Sequence, residues 1–344
     1  MYSKVMEINV WTSATVDGQP IFDAKSHKWI VRLRRADGTE RVIRPRHIVL
    51  ALGLYALPYA PKFPGAETFR GDLMHTSDFP GGEKYARKSA VIIGGCTSAH
   101  DIAMELYDNN AKSVMMVQRS STFIVGQPAL ERRLFAPLYC EGAVPAEEAD
   151  LFSCSIPFPV AKLIHQEITR KIAEDDKEML IGLEKQGFKI DYGFEGAGIM
   201  SKFIAKGGGY YIDVGCSQLI CEGKIKVKQG KEIQKIVEDG VILEDGTKLE
   251  ADLVVLATGY LGMKEAARQI FGDEVANRVS QIGGLNAEAE FAGMWQSMSL
   301  RNSVLITESG QEGLWFMAGN LAQARCYSKF LAIQIKAKEE GLVA

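Results

Sequence analysis

Residues 89–103 read SAVIIGGCTSAHDIA. An apolar run, Ala90 to Ile93, stops at Gly94-Gly95, and a stretch with helical spacing starts at once. Ala99, Ile102, Ala103 and Leu106 fall at i, i+3, i+4 and i+7, one apolar face for packing on a sheet. SVMMVQ, residues 113–118, reads as the next strand. Strand, glycine turn, helix and strand make a βαβ unit of about 30 residues. Such a unit is the building block of dinucleotide-binding domains.

The turn departs from the usual Gly-x-Gly-x-x-Gly/Ala spacing. Gly94 and Ala99 stand where the first and third small residues belong, but Cys96 replaces the second glycine. The first glycine makes the tight turn, the second lets backbone approach a pyrophosphate, and the third allows helix–strand packing. Gly95 offsets part of the change at Cys96. Thr97 and Ser98 are placed to cap the helix and to donate to a phosphate. The anion itself belongs at the helix N-terminus, where free N–H groups and the helix dipole favour negative charge. The second strand ends Gln118-Arg119-Ser120-Ser121, without the acidic residue that holds a ribose 2′-hydroxyl in NAD sites. Arg119, with Ser120 beside it, suits a 2′-phosphate instead. The expected nucleotide is therefore NADPH rather than NADH.

Outward from this unit, residues 7–50 read as β-meander. KWIVRLRRADGTERVI alternates around Asp37-Gly38, a hairpin signal, and HIVLALG (47–53) reads as a buried strand. Residues 54–68 hold three prolines and read as an irregular linker. Residues 128–188 are mostly helical by pattern. Residues 224–257 return to β, a meander with turns at Asp239-Gly240 and Asp245-Gly246 that closes on the buried run DLVVLATG. LAQARCYSKFLAIQIKAKEEG reads as one amphipathic helix. His100 and Asp101 are expected on the exposed side of the first helix. Trp11, Trp29, Trp295 and Trp315 are expected in packing, and Gly207–Gly209 in a flexible loop.

The stretch before the unit, FRGDLMHTSDFP (69–80), gains meaning by resemblance. Phe69, Gly71, His75 and Phe79 match the F-x-G-x-x-x-H-x-x-x-aromatic fingerprint of flavin-containing and Baeyer–Villiger monooxygenases. VVLATGY (254–260) resembles the same family's second signature, with Thr258-Gly259 intact. GGGYYIDVG (207–215) and GLWFMAGNLAQARCYSKFLAIQIKA (313–337) resemble family segments of the indole-pyruvate-type branch. The resemblance runs through nearly the whole chain. It implies NADPH and FAD as cofactors, and a flavin that oxygenates a small organic substrate, in secondary metabolism among other settings. By resemblance, Asn320 and Gln323, before the last helix, face the flavin.

The family carries a first Gly-x-Gly-x-x-Gly for FAD well before the fingerprint, and this chain begins beyond it. The expectation is a truncated chain or one completed by a partner. The alternative is a degenerate, non-catalytic or partner-dependent NADP(H)-binding protein. The expected fold class is α/β, a Rossmann-like NADPH-binding domain inserted in the remnant of a second, FAD-type dinucleotide-binding domain. The expected boundaries are 1–80 for the remnant with the fingerprint, 81–250 for the NADPH domain with its helical insertion, and 251–344 for the return segment.

Composition excludes other classes. The 344 residues carry a net charge of −3, which gives no electrostatic case for nucleic acid or an anionic membrane. No apolar run reaches the ~18 residues of a membrane span. The six cysteines lack C-x-x-C or zinc-like spacing and read as free thiols of a reducing compartment, so no metal is expected and the cytoplasm is the expected location. Expected partners are a small-molecule substrate, with a second copy or a completing chain.

Overall fold

A computed structural model describes residues 1–53, 55–279, 282–284 and 310–342. The chain forms two compact units. One comprises Met1–Leu57, Leu261–Gly283 and the described residues near the C-terminus; the other is Pro58–Tyr260 with Gly284.

The second unit is built on a five-stranded sheet. Its strands in chain order are β1 (Asp72–His75), β2 (Ser89–Ile93), β3 (Ser113–Gln118), β4 (Ile225–Gln229) and β5 (Leu253–Leu256). Their spatial order is β4-β3-β2-β5-β1, and all pairs are parallel. Helix α1 (Thr97–Asp108) joins β2 to β3. Along β2 the residues alternate between two cores. Ala90 and Ile92 face Ala99, Ile102, Ala103 and Leu106 of α1, with Leu183 and Ile220 of later helices. Val91 and Ile93 face Ile236, Val241 and Leu243 of an antiparallel meander, Ile233–Val237, Gly240–Leu243 and Lys248–Glu250. Both faces are covered, as a parallel sheet requires. Each fully buried aliphatic side chain contributes about 1.5–3 kcal/mol.

The strand, helix and strand of the opening stretch lie within one or two residues of their expected places. Residues 128–188 are largely helical, through Phe158–Asp175 and Lys177–Lys185. Two readings change. Ile225–Gln229 is not part of the meander; it follows the short helix Cys216–Cys221 and pairs parallel with β3. His100 is not exposed. It is fully buried and stacks on Tyr211 at 3.9 Å, because a second layer covers α1 beyond its main apolar stripe. Asp101, its neighbour, is exposed as expected.

The observed division of the chain also falls elsewhere than the expected domain boundaries. The fingerprint strand β1 and the strand of DLVVLATG both pair within the five-stranded sheet, β5 lying between β1 and β2. Backbone pairing therefore places residues 58–80 and 251–260 with the second unit.

The first unit contains the antiparallel strands Ala14–Val16, Ile21–Asp23, Lys28–Arg35 and Glu40–Ile43, with Gly38 at φ +81° in the hairpin turn. Ile48–Leu50 pairs parallel with Leu314–Phe316. Leu50 is buried but Val49 is 40% exposed, so HIVLALG is covered on one side only. Trp29 sits edge-on between Phe22 and Phe271, with ring centroids at 5.3 and 5.2 Å. Trp315 is buried and donates to His47 Nδ1 at 3.0 Å. Trp11 departs from its expected packing role: it is 52% exposed, in a segment paired with no strand. Trp295 lies outside the described residues. The last helix spans Leu321–Glu339. Among the described residues no helix is long and apolar enough to cross a membrane, and no group of His, Cys, Asp and Glu could hold a metal ion.

Candidate dinucleotide site

The chain leaves β2 through α1 toward β3 and β4, while β5 and β1 lie on the other side of β2. The boundary between β2 and β5 is therefore a topological switch point. In open α/β sheets, ligands bind outside the carboxyl ends of the strands at such a point. The Gly94-Gly95-Cys96-Thr97 turn leaves the end of β2, and Ala257-Thr258-Gly259 leaves the end of β5.

The two turns touch. A Cβ on Gly94 would lie 2.4 Å from the Ala257 carbonyl oxygen and 2.8 Å from the Ala257 Cβ. Gly94 also has φ +149°, and its N–H donates to the Val117 carbonyl at 3.0 Å. Only glycine fits there. A Cβ on Gly95 would lie 2.9 Å from Cγ of Gln118, so the second glycine serves packing against β3.

Cys96 is the N-cap of α1. Its carbonyl accepts from the N–H groups of Ala99 and His100, at 2.9 and 3.1 Å, and from His100 Nδ1 at 3.0 Å. Its thiol lies against the Thr122 hydroxyl and the Gly209 N–H, and burial pushes the thiol's pKa up. The side chain is thus half-buried and engaged within the fold. Thr97 and Ser98 do not cap the helix as expected. The cap position is one residue earlier, and the Thr97 hydroxyl donates to the Tyr210 carbonyl at 3.0 Å. Helix α1 has no side-chain cap and no acidic residue in its first turn. Its N-terminal N–H groups and dipole are left to favour an anion.

Arg119 and Ser120 follow β3, level with the glycine turn. Both are exposed, and the Arg119 side chain is 77% accessible, with a long ion-pair contact to Glu232 at 4.0 Å. A guanidinium so lightly engaged is available to a phosphate. Gly207–Gly209 ends one helix and enters the strand Tyr210–Asp213, with Gly207 and Gly209 at positive φ.

The fingerprint residues are architectural in this arrangement. His75 ends β1 and is 4% exposed. Its Nε2–H donates to the Gly259 carbonyl at 3.0 Å, and its Nδ1 accepts from the N–H and the hydroxyl of Ser77. Its ring also meets Tyr260 edge-on at 5.0 Å. A Cβ on Gly71 would lie 2.3 Å from the Asp252 carbonyl oxygen. Phe69 packs into the meander-side core, and Phe79 stacks on Tyr85 at 5.9 Å. Thr258 donates its hydroxyl to the Tyr59 carbonyl.

Asn320 and Gln323 form a capping box. Asn320 Oδ1 accepts from the Gln323 N–H at 3.0 Å, and Gln323 Oε1 accepts from the Asn320 N–H at 3.1 Å. Reciprocal capping accounts for both side chains. The engagement of Cys96 by Gly209, and the link from Thr97 to Tyr210, escaped the sequence reading, since nothing local in residues 94–98 signals a partner more than 100 residues away.

Comparison with known proteins agrees with this geometry. Residues 35–134 match the pyridine nucleotide-disulphide oxidoreductase family model. The chain is 28% identical over 248 residues to an indole-3-pyruvate monooxygenase, YUCCA1, of Oryza sativa subsp. japonica, covering 72% of this chain and 53% of that one. It is 25% identical over 308 residues to the FAD-containing monooxygenase EthA of Mycolicibacterium smegmatis, covering 84% of this chain and 57% of that one. The chain thus spans about half the length of these curated relatives. A crystal structure of cyclohexanone monooxygenase bound to cyclohexanone shares the fold, with a TM-score of 0.60 at 16% identity, over 95% of this chain and 68% of that one. In its glycine turn, its fingerprint and these relatives, the chain is similar to flavin-dependent monooxygenases.

Proposed function

We propose that the chain contributes the NADPH-binding half of a flavin-dependent monooxygenase acting on a small organic substrate. The observation that carries this is the switch-point crevice, where Gly94 closes on Ala257 beside an uncapped helix N-terminus and an exposed Arg119. The donor set fits a phosphorylated dinucleotide. Helix N–H groups of α1 hold the pyrophosphate, and Arg119 with Ser120 holds a 2′-phosphate. NADPH bound there supplies a hydride, and the protein's part is to bind and orient it. His75 ties the end of β1 to Gly259, in the turn that follows β5 beside the crevice.

FAD is the family's second cofactor. Among the described residues, Asn320 and Gln323 cap a helix through their side-chain oxygens and the Thr258 hydroxyl donates to the Tyr59 carbonyl, so all three are partly engaged within the chain. This favours a second reading, in which the chain binds NADP(H) and completes its flavin site only with further polypeptide, from a partner or from a second copy. The cytoplasm suits either reading, since NADPH is made and used there.

The test is calorimetric titration of the purified chain with NADP⁺ and NAD⁺, beside its absorption spectrum. Tighter binding of NADP⁺ supports the site, and absence of binding at millimolar nucleotide removes it. A band near ~450 nm shows a bound flavin and supports the complete enzyme; a colourless chain that binds NADP⁺ supports the partner-dependent reading.

A further inference from the structure

The loop Arg119–Thr122 carries the residues assigned to the 2′-phosphate, yet little within the loop holds it. Its anchors come from Lys189–Gly193, a segment in neither sequence motif. The Thr122 N–H donates to the Lys189 carbonyl at 3.1 Å, and the Asp191 N–H donates to the Thr122 carbonyl at 3.1 Å. Gln118, 1% exposed, grips Lys189 from the other side: Nε2 donates to its carbonyl at 2.9 Å and Oε1 accepts its N–H at 2.8 Å. The Thr122 hydroxyl then donates to the Gly95 carbonyl at 2.8 Å, which joins the loop to the glycine turn.

The segment is itself held by an ion pair that is mostly shielded from water. Lys202 Nζ lies 2.6 Å from Asp191 Oδ2, with side-chain exposures of 10% and 22%. The other Asp191 oxygen accepts from the Gly193 N–H at 2.7 Å, and the carboxylate also takes the Ser121 hydroxyl. The Lys202 ammonium lies 5.1 Å from the Phe194 ring centroid. Shielded pairs of this kind add little net stability, since desolvation offsets their attraction. What this pair does is fix one end of the loop: Asp191 reaches Ser121 directly, two residues from Arg119.

We propose that the Asp191–Lys202 pair is a positioning element that sets discrimination in favour of a nucleotide bearing a 2′-phosphate, acting through the Arg119-Ser120 loop. The inference rests on the reading of the crevice as a nicotinamide-nucleotide site. Lys202 acts through Arg119, so its loss removes preference for the phosphorylated nucleotide while leaving the shared adenosine and pyrophosphate contacts intact.

The experiment is calorimetric titration of the full chain with NADP⁺ and NAD⁺, for the wild type, Lys202→Met, Arg119→Ala, the double variant, and Lys202→Arg. In Lys202→Met the NAD⁺/NADP⁺ ratio of Kd values is expected to fall about tenfold, with NAD⁺ affinity held within about twofold. The double variant is expected to be no worse than Arg119→Ala, since one element acts through the other. Lys202→Arg, which keeps the cation, is expected to restore part of the preference. Should Lys202→Met leave Asp191 unpaired and the chain unfolded, Asp191→Asn/Lys202→Met removes both charges and takes its place. An unchanged ratio, an equal loss for both nucleotides, or additive effects of the two substitutions overturns the proposal. A wild type that binds neither nucleotide overturns the reading of the crevice first, and the proposal with it.

Discussion

His75 at the end of β1 donates from Nε2 to the carbonyl of Gly259, 3.0 Å away and 184 positions along the chain. Both ring nitrogens are satisfied, so the fingerprint histidine works as a tie between the ends of β1 and β5. His75→Ala is expected to cost about 2–4 kcal/mol, through the lost ring volume and the lost hydrogen bonds to Gly259 and Ser77. His75→Phe keeps the volume and is expected to lose about 1–3 kcal/mol. Thermal unfolding of the two variants measures this, and wild-type melting in both would show that no tie exists.

The same tie marks the limit of what the sequence makes legible. β2, α1 and β3 are legible because each obeys a local rule: an apolar run, a 3.6-residue stripe, a glycine at the turn. Gly94 is legible as a glycine, but its partner Ala257 is not, because the contact exists only once β5 inserts beside β2. His100 illustrates the same point. A helix has room for a second buried side, and nothing in residues 97–108 announces that Tyr211 and Phe188 will cover it. Lys189–Gly193 carries no motif, since its value lies in main-chain groups that reach the Arg119 loop. Asn320 and Gln323 could be read as a capping box from their spacing alone, and the structure takes that simpler reading.

His100 gives the chain a pH dependence of known sign. Burial, opposed by the hydrogen bond to the Cys96 carbonyl, lowers its pKa from 6.5 to about 4. The unfolded chain therefore binds a proton between pH 6.5 and 4 that the folded chain refuses. Its contribution is fully present above pH 6.5, falls as the pH drops, and levels off below about 4, for a loss on the order of 3 kcal/mol. His165, also lowered by burial, adds a slope of the same sign. His100→Phe should flatten the curve in this window, as read by urea midpoints of both proteins at pH 7, 5.5 and 4.5. Parallel curves would contradict the burial argument.

Arg119→Ala tests the nucleotide arm. A guanidinium–phosphate contact is worth about 1.5–3 kcal/mol, so NADP⁺ affinity is expected to fall roughly 10- to 100-fold with NAD⁺ affinity unchanged. The side chain is 77% exposed and, among the described residues, its ion-pair contact is the long one to Glu232, so the melting temperature should stay within a degree or so of the wild type. Equal binding of both nucleotides by the wild type would exclude Arg119 from this role.

The last prediction concerns Cys96, which stands where the dinucleotide motif has its second glycine. A side chain there obstructs only if it points into the crevice. In this chain the backbone at Cys96 is extended, φ −113° and ψ −170°, and the half-buried thiol is engaged by Thr122 and Gly209. Cys96→Gly should therefore leave NADP⁺ affinity within about twofold while lowering stability by about 1 kcal/mol, from lost packing and a freer unfolded chain. Because burial raises the thiol's pKa, Cys96 should also react with iodoacetamide more slowly at pH 8 than exposed Cys140, which peptide mass spectrometry can follow site by site. Faster labelling of Cys96, or a large gain in nucleotide affinity on Cys96→Gly, would place the side chain in the crevice and make it the obstruction that the glycine spacing warns of.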